Sequence, residues 1–131
     1  MKKILVYRMK GEKRKRLKKI CGELEIDLSV VSPAEYGEAI GALVGFPGMR
    51  KQGRLSAGTG VAGEMLVFCG LDDTALEEFL DACKGGSVEP TACKAVLTPY
   101  NAGWSSEKLY AELVRERDLE GTAQGHSLQS P

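Results

Sequence analysis

Apolar positions along the chain switch repeatedly between strand-like and helix-like spacing. Residues 3–7, Lys-Ile-Leu-Val-Tyr, form a short run of strand formers, and Leu17, Ile20, Cys21 and Leu24 then recur on one face of a helix. Residues 25–31, Glu-Ile-Asp-Leu-Ser-Val-Val, alternate polar and apolar, as a strand at a sheet edge does. Ser32-Pro33-Ala34-Glu35 predicts a helix start with Ser as N-cap, Pro at the first turn and Glu closing a capping box. Tyr36, Ala39, Ile40 and Leu43 continue that helix until Gly45 and Pro47 end it.

Residues 46–63 are glycine-rich and without periodicity, which predicts a mobile loop. The nearly unbroken apolar run Glu64-Met65-Leu66-Val67-Phe68-Cys69 predicts a strand covered on both faces, after which Asp72 caps a helix with the stripe Leu76, Phe79, Leu80 and Cys83. Residues 93–98 predict a fourth strand and residues 99–103 a turn. Ser105 opens a last helix carrying Leu109, Tyr110, Leu113 and Val114. Beyond Asp118 the composition predicts a disordered tail over residues 119–131.

Strand and helix alternate strictly, so the chain is expected to be a single α/β domain over residues 1–118, with a four-stranded parallel sheet of order 2-1-3-4 and helices on both faces. The first and third strands are the most uniformly apolar and belong at the centre. A ferredoxin-like α+β sheet is the alternative, although it calls for a short link between strands two and three.

The 131 residues sum to zero net charge, but the distribution is lopsided: residues 1–20 hold ten Lys or Arg against the single Glu12, a net +9 that the rest of the chain cancels. No stretch is apolar enough to span a membrane, and charge breaks the N-terminal apolar run too early for a signal peptide, so a cytoplasmic protein is expected. Cys21, Cys69, Cys83 and Cys93 form no C-x-x-C pair and lie in regular elements, which points to reduced, mostly buried thiols. No metal site or cofactor is implied, since the only histidine, His126, stands in the polar tail.

Ser32-Pro33-Ala34-Glu35-Tyr36 with Ile40-Gly41, then Glu64-Met65-Leu66-Val67-Phe68, then Lys94-Ala95-Val96-Leu97-Thr98-Pro99 with Asn101 and Trp104, resemble the small bacterial proteins of domain-of-unknown-function family 3783. The resemblance runs from about Lys3 to Asp118 and implies no assigned activity and no catalytic residue.

If the strands are parallel, their following loops share one edge. That edge gathers Arg8, Lys10, Thr98, Tyr100, Asn101, Trp104 and Ser105 into a candidate site for a small anionic ligand, with free N–H groups at the start of the last helix. The basic run Lys13, Arg14, Lys15, Arg16, Lys18 and Lys19 is a second candidate, an electrostatic docking surface for nucleic acid or an acidic protein. Cys69, just ahead of a helix N-terminus, is a third and weaker one, for thiol chemistry.

Residues 58–63 spell G-x-G-x-x-G but lead into a strand rather than opening a helix, so they read as a connector and not as a dinucleotide site. Arg8, Met9 and Lys10 after the first strand exclude the acidic Mg²⁺ pocket of a receiver domain. With no histidine before residue 126 and no marked carboxylate pair, a binding or regulatory module is expected rather than an enzyme.

Overall fold

All four apolar runs are strands in the computed structural model, which describes residues 2–122: β1 (Lys3–Tyr7), β2 (Asp27–Val30), β3 (Met65–Cys69) and β4 (Cys93–Val96). They form one sheet of order β2-β1-β3-β4. The order is as expected, but the sheet is mixed rather than parallel. β1 pairs parallel with β2, β3 pairs parallel with β4, and β1 lies antiparallel to β3, with Leu5 opposite Val67. The ferredoxin-like alternative fails too, because its strands would alternate in direction throughout.

The physical reason lies in the connections. Helix α1 (Gly11–Glu23) returns the chain from β1 to β2, and α3 (Asp73–Gly85) returns it from β3 to β4, each as a crossover between parallel neighbours. Between these two units the chain makes a 3-10 turn (Pro33–Glu35), the short helix α2 (Ile40–Val44) and a long connection. That connection is free to deliver β3 in either direction. Helix α4 (Ser106–Thr122) ends the described chain; it runs past the expected boundary at Asp118, and the remainder of the expected tail, 123–131, lies outside the described residues.

The two units are structural repeats. Lys3 corresponds to Met65, Tyr7 to Cys69, Gly11 to Asp73 and Glu23 to Gly85, with no gap. The first residue after each central strand has positive φ, Arg8 at 60° and Gly70 at 78°, and so do Glu25 at 59° and Ser87 at 60° beyond each helix. Each helix also ends in the same bond: Ile26 N–H donates to Cys21 O at 2.8 Å and Val88 N–H to Cys83 O at 2.9 Å. After an insertion at residues 89–92 the match resumes, Ser32-Pro33 with Thr98-Pro99 and Gly37 with Gly103.

A local two-fold axis relates the halves. Leu5 faces its own equivalent Val67 across the sheet, and Ala39 bridges its own equivalent Ser105. Gly41 N–H to Ala102 O (2.8 Å) is mirrored by Glu107 N–H to Tyr36 O (3.4 Å).

Alternation along β1 and β3 divides the core in two. Ile4, Val6, Leu66 and Phe68 face α1 and α3 and pack Leu17, Ile20, Cys21 and Phe79. Leu5, Tyr7, Met65 and Val67 face the other way and pack Tyr36, Ile40, Val61 and Leu109.

On this second face the expected helix over 32–45 is interrupted. Ser32 makes no side-chain cap, Glu35 pairs with Lys51 instead of closing a capping box, and α2 starts only after Ala39. A side chain at Gly37 would meet the Arg54 carbonyl, so the backbone there is pressed against residues 52–55 rather than coiled.

The glycine-rich stretch is likewise strapped down instead of loose. The buried Glu38 carboxylate accepts from Gln52 N (2.6 Å) and Arg54 N (2.9 Å), Ser56 Oγ donates to Glu107 Oε2 (2.6 Å), and Val61 is fully buried.

Candidate functional site

The antiparallel centre separates the residues expected at one edge. Arg8 and Lys10 follow β1 at one end of the sheet, whereas Cys69 ends β3 and Thr98 follows β4 at the other. Arg8 is committed to the fold: its Nε donates to Val61 O at 2.8 Å, Nη2 reaches Gly58 O, and the guanidinium lies 5.2 Å from the Tyr36 ring centroid. Lys10 stands exposed at the N-cap of α1.

Thr98 and Asn101 spend their polar groups on their own turn. Asn101 Oδ1 accepts from Thr98 N (2.9 Å), its Nδ2 donates to Val96 O (3.1 Å), and Thr98 Oγ1 accepts from Asn101 N (3.3 Å). Ser105 Oγ accepts from Lys108 N at 3.1 Å, capping α4 as its position predicts and using one of the N–H groups an anion would need. Trp104 packs edge-on to Tyr100 at 5.4 Å, with Lys108 Nζ 4.6 Å from its centroid. Tyr100, Trp104 and Lys108 therefore form a surface cluster, apart from Arg8.

The glycines of residues 58–63 serve packing. A side chain at Gly60 would strike Glu107, and one at Gly63 would crowd the Tyr110 hydroxyl. A carboxylate beside Gly60 opposes phosphate binding there.

The second candidate keeps its geometry. Leu17, Ile20 and Cys21 turn inward and leave Arg14, Lys15, Arg16, Lys18 and Lys19 exposed along the outer side of α1. Lys13 is tied to Glu64 at 2.7 Å, and Lys15 lies 4.0 Å from Glu12. Among the described residues Arg14, Arg16, Lys18 and Lys19 have no ion-pair partner.

Beside α1 on the same face lies α3, which exposes Asp73, Glu77, Glu78 and Asp81, none of them in an ion pair either. Sequence reasoning missed this neighbour, because nothing before the topology says that the two helices share a face. At three equivalent positions the sign is reversed: Lys15 matches Glu77, Arg16 matches Glu78 and Lys19 matches Asp81.

A cleft of about 290 Å³ opens beside α3, lined by the apolar Leu17, Leu66, Phe79 and Val88 and by the charged Lys84, Glu89 and Lys94. Cys83 lines it, its thiol held above the ordinary range by burial. Cys21, the equivalent residue of the first half, is pushed up to about 12 by burial, with a smaller contribution from Cys83. Protonated thiols of this kind are poor nucleophiles. Cys69 is half-buried at the end of β3, and all four cysteines are free thiols.

No helix among the described residues is long and apolar enough to cross a membrane. The family model described as "Domain of unknown function (DUF3783)" matches residues 64–119, which run from the start of β3 into α4. Ser32 to Gly41, which carried part of the resemblance, lie outside the matched segment, in the half that repeats its architecture. No curated protein and no solved structure matches the chain.

Proposed function

We propose a non-catalytic docking module, in which residues 64–119 match a family whose description names no activity. Its cationic α1 takes an acidic protein surface. The observation that carries this reading is the exposed row Arg14, Arg16, Lys18 and Lys19, left without partners among the described residues. Unpaired cations on a rigid helix give steered, salt-sensitive association rather than stability.

An acidic protein element fits better than nucleic acid. Packed helices lie about 8–10 Å apart, so a duplex about 20 Å wide centred on α1 would also cover the carboxylates of α3. A slimmer acidic helix or strand can follow α1 alone.

The test is binding of fluorescent poly-L-glutamate and of a DNA duplex, each titrated with salt. Poly-L-glutamate is expected to bind at about 25 mM salt and to be released by about 300 mM as the Debye length shortens. Arg14→Glu with Lys18→Glu should abolish binding without lowering the melting temperature, since both side chains are exposed. Absence of poly-L-glutamate binding at low salt would overturn the reading.

The cleft beside α3 supports a second reading, a small ligand with an apolar body and an anionic end directed at Lys84, since Lys94 Nζ already donates to Thr91 O at 2.6 Å and Glu89 holds another part of the lining. Trp104 contributes to the core on the opposite face of the sheet, so tryptophan emission is the wrong reporter. Cys83 is the right one: a medium-chain carboxylate that occupies the cleft should slow its alkylation, and an unchanged rate across a carboxylate panel would end this reading.

A further inference from the structure

We propose that the acidic partner of α1 is α3 of a second copy of this chain, so that the α1/α3 face closes on itself as a two-fold dimer; this rests on the docking reading above. Three observations lead to it. The face is built of two helices of 13 residues each, side by side and, because β1 and β3 are antiparallel, running in opposite directions. Cations predominate on one helix, six against Glu12 and Glu23, and carboxylates on the other, four against Lys84, and among the described residues the only ion pairs these groups make are Lys13 with Glu64 and Lys15 with Glu12. The signs are reversed at positions the internal two-fold makes equivalent: Lys15 and Glu77, Arg16 and Glu78, Lys19 and Asp81.

That antisymmetry selects one mode of pairing. A second copy turned through half a revolution about an axis parallel to the helices, and brought face to face, lays its α1 on α3 and its α3 on α1. The cations of each α1 then face the carboxylates of the other copy's α3, and the assembly closes at two copies. The other face-to-face arrangement, turned about the perpendicular in-plane axis, lays cations on cations and is rejected.

Two helices about 20 Å long bury on the order of 1,000 Å² in all, the small end of specific interfaces, so the dimer is weak and electrostatic. Exposed Leu80, at 40%, gives the interface an apolar contact beside the charges.

The experiment uses sedimentation equilibrium of the full chain and two variants. One is Lys15→Glu/Arg16→Glu/Lys19→Glu, with an all-acidic face; the other is Glu77→Lys/Glu78→Lys/Asp81→Lys, with an all-basic face. The native chain is expected to dimerise at about 100 µM in about 25 mM salt, with association at least about tenfold weaker in about 300 mM. Each variant alone should be a monomer of unchanged melting temperature, and the two mixed should form a one-to-one heterodimer.

A native chain that stays monomeric at low salt, or a dimer that survives in either variant, overturns the proposal. The poly-L-glutamate titration separates the failures. A monomeric chain that still binds it loses only this partner, whereas a monomeric chain that does not bind it loses the docking reading as well.

Discussion

The two halves of this chain share a backbone and differ in almost everything exposed. Strands, helices and helix-ending bonds correspond residue for residue from Lys3 to Ile26 and from Met65 to Val88, and so do two pairs of positive-φ positions, Arg8 with Gly70 and Glu25 with Ser87. Core positions keep their character, Leu17 against Phe79 and Cys21 against Cys83. Outward positions do not: α1 carries six cations and two carboxylates, α3 four carboxylates and one cation. Burial and backbone geometry therefore hold the architecture, while surface charge has diverged to opposite signs on equivalent frames. The second half is the part the family model covers, yet it buries its central strand only with the first half's help.

The comparison breaks most sharply if the halves are separated. β3 is buried on both faces, and one of its two edges is paired along its whole length with β1. A fragment of residues 64–122 loses that pairing, and with it Ile4, Leu5, Val6 and Tyr7 from the two cores. It is expected to show no cooperative thermal transition and collapsed amide dispersion; a folded monomeric fragment would show that the halves are independent. Within the whole chain, Phe79→Ala should cost about 3–5 kcal/mol and Leu17→Ala about 2–5 kcal/mol. Both should melt in one transition by near- and far-ultraviolet dichroism alike, since both side chains are 1% exposed in the same core.

Much of this was legible in the apolar pattern. Strand order, the Asp72 cap (Oδ1 to Ala75 N, 2.8 Å) and the inward stripe of α1 follow from local chemistry that tertiary structure leaves alone. The direction of β3 was not legible, because a connection as long as residues 45–64 carries no geometric memory of the strand before it.

The candidate edge site depended on that direction and dispersed with it. The helix at 32–45 failed for a related reason: its capping signal is sound locally, but Glu35 and Glu38 are recruited by residues 51–54, and that is a long-range fact. One signal was present and unread. Ser32-Pro33 with Gly37 and Thr98-Pro99 with Gly103 repeat at the same spacing within each half, and they would have disclosed the two-fold before any coordinates.

Those repeated glycines sharpen the comparison at moderate energy. Gly37 and Gly103 hold equivalent places, but a Cβ at Gly37 would lie 2.6 Å from the Arg54 carbonyl oxygen, while one at Gly103 meets nothing within 4 Å. Gly37→Ala is expected to cost about 1–3 kcal/mol as the linker is forced off the surface. Gly103→Ala should fall within about 0.5 kcal/mol of the native chain. Urea denaturation of the two variants side by side checks this. Equal effects would mean that the linker is not seated against the first half.

The smallest effect is the pH dependence contributed by Glu38. Backbone N–H donation, from Gln52 first and then from Arg54 and Gly53, holds the Glu38 carboxyl below its ordinary range against the opposing effect of burial. The folded state thus binds this proton less readily than the unfolded chain. The stabilisation is complete above the unfolded carboxyl value, about 4.3, and is lost as pH falls through the lower folded value. At the equivalent position the second half has Trp104, which cannot titrate, so any acid sensitivity of this origin belongs to the linker and the first half. Glu38→Gln keeps the shape but replaces an acceptor with an amide. It is expected to lower the melting temperature at neutral pH and to flatten the fall in stability below about pH 4.5. Amide exchange at Gln52 and Arg54 localises the change: both should exchange faster in the variant at neutral pH and in the native chain at low pH. An acid limb left as steep in Glu38→Gln as in the native chain would assign it to other carboxylates, and would leave the seating of the linker independent of this proton.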